Sequence, residues 1–193
     1  RLWIYGIDPV LAGRNVSAAL TLMPGIAAIP TPVVDVSVRS DAAYALLENG
    51  EIWSWGYNNG GQLGSGEKPE KKYALPKRIH SLSRVILIAS NLGATVVTEN
   101  GILATWGVSA SAPPGPSPFP RHDLNAPYKI KNKMKFPIRY VVGGMSAYAA
   151  IDDVGEVWYW RDNSRGQRGT GLIVRNPDEK YWTTPEKSLW VYN

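Results

Sequence analysis

Histidine, aspartate and serine are the residues of this sequence with the chemistry for acid–base or nucleophilic catalysis. The chain has two histidines, His80 and His122, no cysteine, and no Gly-x-Ser-x-Gly segment of the kind that presents a nucleophilic serine. Asp152 and Asp153 are adjacent, and neighbouring residues on a strand point to opposite faces, so these carboxyl groups cannot act as an acid–base pair on one bond. The sequence therefore predicts a protein that is not an enzyme.

The sequence also lacks motifs for metals, cofactors and membranes. The segment 162–166 has turn-forming residues but not the ligands of a calcium loop, and no Gly-Lys-Ser/Thr phosphate loop occurs. We therefore predict no metal and no cofactor. No apolar run reaches the roughly eighteen residues of a transmembrane helix, so no membrane span is expected. The absence of cysteine gives a slight preference for a secreted or cell-surface bacterial protein.

The rest of the chain is organised around a predicted β-hairpin and a glycine-rich loop in residues 40–66. Two short apolar strands, 44–47 and 52–55, flank Glu48-Asn49-Gly50, and an Asn-Gly pair supplies the positive φ angles of a tight primed turn. A run of glycines follows Trp55 and predicts that the strand ends in a compact loop. These glycines are Gly56, Gly60, Gly61, Gly64 and Gly66.

The hairpin recurs at a period near fifty residues. Gly101 lies 51 residues after the turn glycine Gly50, and Gly155 lies 54 residues after Gly101. A truncated copy opens the chain, where residues 1–6 match residues 51–56. Short strands and turn glycines at such a period are typical of the blades of a β-propeller.

Residue by residue, these repeats resemble the regulator-of-chromosome-condensation repeat family. The family pattern of an acidic-x-Gly turn, a Trp-Gly strand end and a Gly-Gln-Leu-Gly loop is matched closely by residues 36–66. The second copy keeps Trp106-Gly107 but has a proline-rich segment, 109–121, in place of the loop. The third copy has Arg161 where the family has glycine and Arg168 where it has leucine.

The predicted fold is all-β, a β-propeller-type array of about four blades within a single domain, 1–193. The resemblance implies a ring, since family members usually close about seven blades. The chain is therefore either a compact ring or a partial or excised seven-bladed ring, and unpaired edges favour a homo-oligomer or a larger parent chain. The predicted repeats are 34–83, 84–137 and 138–187, with 1–33 and 188–193 forming a partial or closing blade.

Basic residues exceed acidic ones by five and cluster in two predicted connections, 68–84 and 129–139. In the second connection, Lys131 and Lys133 are candidates for an electropositive rim that binds phosphate or an acidic protein. The alternative is that these lysines keep loops soluble and protect sheet edges. A net charge of +5 does not favour nucleic-acid binding.

We interpret the chain as a non-catalytic protein-interaction module, which suits loops presented on a rigid scaffold. Eight tryptophans and ten tyrosines also allow a carbohydrate-binding propeller, and the resemblance implies guanine-nucleotide exchange or chromatin binding as a further alternative. Besides the two lysines, the candidate binding residues lie in three places. These places are the beginning of the glycine-rich loop, the proline-rich segment and the last part of the chain. The residues are Tyr57, Asn58, Asn59, Phe119 and Trp182.

Overall fold

The computed structural model describes residues 3–4, 21–22, 29–39, 41–67, 70–91, 93–107, 125–130, 134–135, 137–144, 147–166, 168–169 and 185–188. Within these ranges the chain consists of strands, turns and bends. No helix long and apolar enough to cross a membrane occurs in the described part of the chain. The predicted Pro-rich segment 109–121, with Phe119, lies outside the described residues, as do Lys131, Lys133 and Trp182.

The described strands form one two-stranded sheet and three four-stranded sheets, all antiparallel. Strands β1 (Trp3–Ile4) and β2 (Thr21–Leu22) pair with each other. Blade 1 contains β3 (Val33–Val38), β4 (Ala42–Leu47), β5 (Ile52–Asn58) and β6 (Glu70–Arg78). Blade 2 contains β7 (Val85–Ser90), β8 (Ala94–Thr98), β9 (Leu103–Trp106) and β10 (Tyr128–Lys129). Blade 3 contains β11 (Ile138–Gly143), β12 (Ala147–Asp152), β13 (Val157–Arg161) and β14 (Glu186–Lys187).

In each blade the strands pair in chain order, which confirms the predicted all-β array of propeller-like blades. The three blades also share one register between their first and second strands, including a bulge near the start of the first strand. We call residues of different blades equivalent when they occupy the same place in this register. The first such set is Val36, Ile88 and Val141, which lie opposite Ala45, Val96 and Ala150.

The hairpin turns occur where the sequence predicts them, but the predicted primed geometry is wrong. In blade 1 the Gly50 N–H donates to Leu47 O at 2.8 Å, and Gly50 has a φ of 78°. Asn49 is not among the described residues with positive φ, whereas a type I′ turn requires positive φ at both central residues. The glycine instead follows the turn as a left-handed bulge residue. Gly101 and Gly155 repeat this geometry.

The end of one strand and the position of one basic cluster also differ from the sequence-based expectation. Strand β5 does not end at Trp55 but continues through Gly56, which has a φ of 108° and pairs with Ala42. The first basic cluster lies largely in β6 and not in a connection. Because β6 is an edge strand of its sheet, lysines there fit the protective role that blunts edge-to-edge pairing.

The hydrophobic core lies between blades. One cluster joins blade 1 to blade 2 and includes Tyr44, Leu46 and Trp106, and a second joins blade 2 to blade 3 and includes Val97 and Trp160. The two tryptophans are equivalent and almost fully buried. Truncating such a residue typically costs about 3–5 kcal/mol of stability. Each blade therefore depends on its neighbour for much of its core.

Candidate interaction surface

The Gly-Gln-Leu-Gly loop of blade 1 is a joint between blades 1 and 2. The backbone carbonyl of Gln62 accepts two hydrogen bonds, one from the Tyr44 hydroxyl at 2.6 Å and one from Trp106 Nε1 at 3.0 Å. The rings of Tyr44 and Trp106 meet edge to face, with centroids 5.9 Å apart. Burial raises the pKa of the Tyr44 hydroxyl, which keeps it protonated as a donor. The loop thus connects the two sheets through one acceptor.

The side chain of Gln62 holds the loop itself in shape. Its Oε1 accepts from the Gly60 N–H at 2.7 Å, and its Nε2 donates to Asn59 Oδ1 at 2.9 Å and to Asp41 Oδ2 at 3.0 Å. The neighbouring Leu63 is buried in the core cluster between blades 1 and 2. Both residues of the motif therefore have structural roles, since Gln62 hydrogen-bonds the loop and Leu63 packs in the core.

The candidate binding residues at the start of this loop have different environments. Asn58 is buried, and its Oδ1 accepts from the Leu63 N–H at 3.2 Å, so its carboxamide serves the loop. Asn59 is exposed but contacts Gln62, and Tyr57 is half-buried on β5 opposite Tyr73. The structure therefore places these three at one loop, with Asn59 alone of the three exposed.

Blade 3 replaces two motif residues by arginines that are buried. Arg161 keeps the left-handed backbone of the equivalent glycines, with a φ of 75°, against 108° at Gly56 and 67° at Gly107. Its Nη1 donates to Asn91 Oδ1 at 3.0 Å, and its guanidinium lies over the Tyr148 ring, 5.6 Å from the centroid. Asn91 belongs to blade 2, so Arg161 joins blades 2 and 3.

Burial disfavours the charged forms of both partners in this contact. It lowers the pKa of the Arg161 guanidinium and raises the pKa of the Tyr148 hydroxyl. The positive charge of Arg161 acts in the opposite direction on Tyr148. The contact is therefore a neutral phenol beneath a cation, an arrangement in which the ring face attracts the guanidinium.

Arg168 takes the place of the motif leucine and keeps its backbone hydrogen bond. Its N–H donates to Asn163 Oδ1 at 3.0 Å, just as the Leu63 N–H donates to Asn58. The side chain is fully buried, and its Nη1 lies 3.5 Å from Glu186 Oε2 on β14. The loop of blade 3 is thus fastened to its own outer strand by an ion pair.

Blade 3 also carries an apolar surface that the sequence analysis did not single out. Tyr140, Val142 and Ile151 are 56%, 44% and 38% exposed. Their equivalents in blade 2 are Leu87, Ala89 and Val97, which all pack in the core against blade 3. We call Tyr140, Val142 and Ile151 the end face. Aligning blades 2 and 3 gives the signal for it, because both have apolar residues at these three positions, whereas blade 1 has Asp35, Ser37 and Leu46 there.

Asp152 and Asp153, the adjacent carboxylates, have different environments. Asp152 is buried and accepts from the Val154 and Glu156 N–H groups, while Asp153 is exposed and lies 3.5 Å from Arg139 Nε. The two carboxylates thus serve separate structural contacts. No group of three histidine, aspartate or glutamate residues that could hold a metal ion occurs in the described ranges.

Comparison with known proteins identifies the repeat. Residues 49–96 match the model of the regulator of chromosome condensation (RCC1) repeat, and residues 33–62 match a second model with the same description. The RCC1 domain-containing protein RUG3, mitochondrial, of Arabidopsis thaliana is 28% identical over 178 residues, which cover 90% of this chain and 40% of that protein.

Solved structures share the fold. Human WBSCR16 aligns with a TM-score of 0.71 at 20% identity, covering 92% of this chain and 44% of that one. Yeast RCC1 (Prp20), crystallised with Kap60, aligns with a TM-score of 0.73 at 21% identity, covering 94% and 42%. This chain thus spans less than half the length of each of these proteins. Taken with the repeated blades, these matches show that residues 33–96 carry the RCC1 repeat and that the chain has a β-propeller-type fold.

Proposed function

We propose that this protein is a non-catalytic protein-interaction module on a β-propeller scaffold. The observation that carries the proposal is the end face, where three apolar side chains are exposed at positions that are packed against protein in blade 2. Contiguous exposed apolar side chains on a rigid sheet are typical of surfaces that dock other proteins. The end face has the composition of an inter-blade surface, so it is suited to contact with a folded protein.

Proteins with this fold bind other proteins. Prp20 was crystallised bound to Kap60, and its structure has been described together with its binding properties to Gsp1p and histones. At about one-fifth identity the likeness supports a common scaffold. Kap60, Gsp1p and histones are named for Prp20 alone. A rigid array of blades that offers a surface to a protein partner is the property that we propose for this chain.

Carbohydrate binding has less support because five of the described indoles are buried or hydrogen-bonded within the protein. Trp55, Trp106 and Trp160 are buried. Trp53 Nε1 donates to Glu51 at 3.2 Å, and Trp158 Nε1 donates to Asp152 at 3.0 Å. Sugar recognition by aromatic stacking needs an accessible ring face, which these packed positions do not favour.

The test compares two aspartate substitutions at exposed apolar positions. Ile151→Asp places a charge in the end face, whereas Val154→Asp places one at a hairpin tip that is 54% exposed. Each immobilised variant is incubated with a proteome extract, a glycan array and duplex DNA. We expect protein partners that remain bound at raised salt to be lost with Ile151→Asp and kept with Val154→Asp. Equal retention by both variants, glycan binding, or DNA binding that falls steeply with salt would contradict the proposal.

A further inference from the structure

The two inter-blade interfaces differ at the end where the hairpin turns lie. Between blades 1 and 2 the contact is closed, because the Val85 N–H donates to Gly50 O at 3.0 Å. A Cβ atom added to Gly50 would lie only 2.8 Å from the Arg84 Cα. The hairpin tip of blade 1 therefore packs directly on the backbone that leads into blade 2.

Between blades 2 and 3 the same contact is open. Ile138 is equivalent to Val85, and Gly101 is equivalent to Gly50, but the Ile138 N–H and Gly101 O do not bond each other. A Cβ atom added to Gly101 would meet nothing within 4 Å. A cleft of about 290 Å³ lies there. Its lining consists of the tip of the blade 2 hairpin together with Ile86, Val97, Met134, Lys135, Pro137 and Ile138.

The sequence of the connections explains the cleft. Arg84 adopts a φ of 52°, and this left-handed residue directs the next N–H toward the hairpin of blade 1. The equivalent residue before β11 is Pro137, whose ring fixes φ near −65° and forbids that conformation. Five residues separate Ile79 from Val85, whereas seven separate the equivalent Ile130 from Ile138. Pro137 therefore cannot direct the Ile138 N–H as Arg84 directs the Val85 N–H, and the contact with the blade 2 hairpin tip stays open.

The lining combines an apolar floor with a basic rim. Ile86, Val97 and Met134 provide aliphatic and thioether surface. At the rim, Glu99 already lies 3.1 Å from Arg84, so its charge is compensated. Lys135 is exposed and makes no salt bridge within the described part of the chain. The uncompensated charge at the cleft is thus positive.

We propose that this cleft binds an extended peptide with an aliphatic residue next to an acidic one. One peptide unit can accept from the Ile138 N–H and donate to Gly101 O. The equivalent groups between blades 1 and 2, the Val85 N–H and Gly50 O, bond each other directly. The aliphatic side chain occupies the floor, and the carboxylate pairs with Lys135. The volume is at the small end of the range for ligand sites, which suits one side chain and its backbone. This site is separate from the end face and does not depend on the proposed use of that face.

The test is a titration of the ¹⁵N-labelled full chain with the synthetic peptide acetyl-Asp-Leu-Asp-amide, followed by amide chemical shifts. We expect saturable shifts at Gly101 and Ile138. Lys135→Glu should weaken binding about fivefold, the effect of roughly 1 kcal/mol from one exposed charge pair. Lys129→Glu is the matched control, because Lys129 is exposed on β10 and does not line the cleft, and it should bind as the unmodified chain does.

Three results would overturn the proposal. They are the absence of shifts at millimolar peptide, shifts scattered over both faces of the blades, and equal losses of affinity in Lys135→Glu and Lys129→Glu. Acetyl-Lys-Leu-Lys-amide tests the charge preference and should bind the unmodified chain more weakly than the acidic peptide. Ile151→Asp should leave the titration unchanged, so a failure of the end face as a docking surface is distinguished from a failure of the cleft.

Discussion

Arg161 shows how one departure from the repeat can be structural. A side chain at positive φ costs about 1–2 kcal/mol relative to the right-handed regions, and the equivalent residues of blades 1 and 2 are glycines. Arg161 offsets this cost with a charge-assisted hydrogen bond to Asn91 and a cation–π contact with Tyr148. The substitution therefore stabilises the packing of blade 3 on blade 2.

Two substitutions at this position separate the backbone cost from the side-chain contacts. Arg161→Ala and Arg161→Gly both remove the guanidinium, and the lost bond to Asn91 should lower the free energy of unfolding by about 2 kcal/mol. Glycine tolerates the left-handed conformation and alanine does not, so the glycine variant should be the more stable of the two by about 1 kcal/mol. Urea unfolding at one protein concentration measures both values. An alanine variant as stable as the glycine variant would show that the backbone is not strained.

The sequence identifies Arg161 and Arg168 as departures from the family pattern, but their roles depend on distant residues. Asn91, the partner of Arg161, is 70 positions away in the chain and belongs to another sheet. Glu186, the partner of Arg168, is on the last described strand. Spacing within one repeat carries no information about such contacts, because they form only when blades and strands have packed.

The loop that joins blades 1 and 2 needs glycine for two separate reasons. Gly64 has a φ of 65°, and a Cβ there would lie 2.6 Å from Trp106 Nε1. Trp106 is the residue that bonds to Gln62 O across the interface. The first reason concerns the local backbone, and the second concerns the close approach of a neighbouring blade.

Gly64→Ala and Gly66→Ala distinguish these reasons. Gly66 has a φ of 78°, and an added Cβ there meets nothing within 4 Å, so its alanine variant pays only the backbone cost of about 1 kcal/mol. Gly64→Ala should lose a further 1–3 kcal/mol or so, because Trp106 must move and its hydrogen bond is strained. Chemical unfolding of the two variants gives the difference. Similar losses in both would mean that the loop does not press on Trp106.

At the level of elements, the sequence predicts much of each blade. The acidic-x-Gly turns and apolar runs locate the hairpins, because glycine at positive φ and strand-forming residues act locally. The turn type is missed, since Asn49-Gly50 suits a primed turn but the chain takes a turn followed by a glycine bulge. The cleft is also missed, because its cause is a comparison between Arg84 and Pro137 that matters only after two blades pack side by side.

At the scale of the whole molecule, the array behaves as a stack of blades that interact mainly with their neighbours. Each core cluster is shared by two adjacent blades, so the stability of a blade depends on how many of its faces are covered. Blade 2 contributes to both clusters. Blade 3 is covered on the side of blade 2 and exposes the end face on the other.

This difference predicts a gradient of local stability between equivalent strands. Val97 on β8 is 1% exposed, whereas its equivalent on β12, Ile151, is 38% exposed. Opening blade 3 exposes one core cluster, whereas opening blade 2 exposes two. Amides of β8 should therefore exchange with solvent about tenfold or more slowly than those of β12. This ratio corresponds to a difference of about 1.4 kcal/mol in the free energy of opening. Native-state hydrogen exchange measures both strands in one experiment. A partner bound to the end face should slow β12 and leave β8 unchanged, whereas equal protection of both strands in the free chain would contradict a stack stabilised by its neighbours.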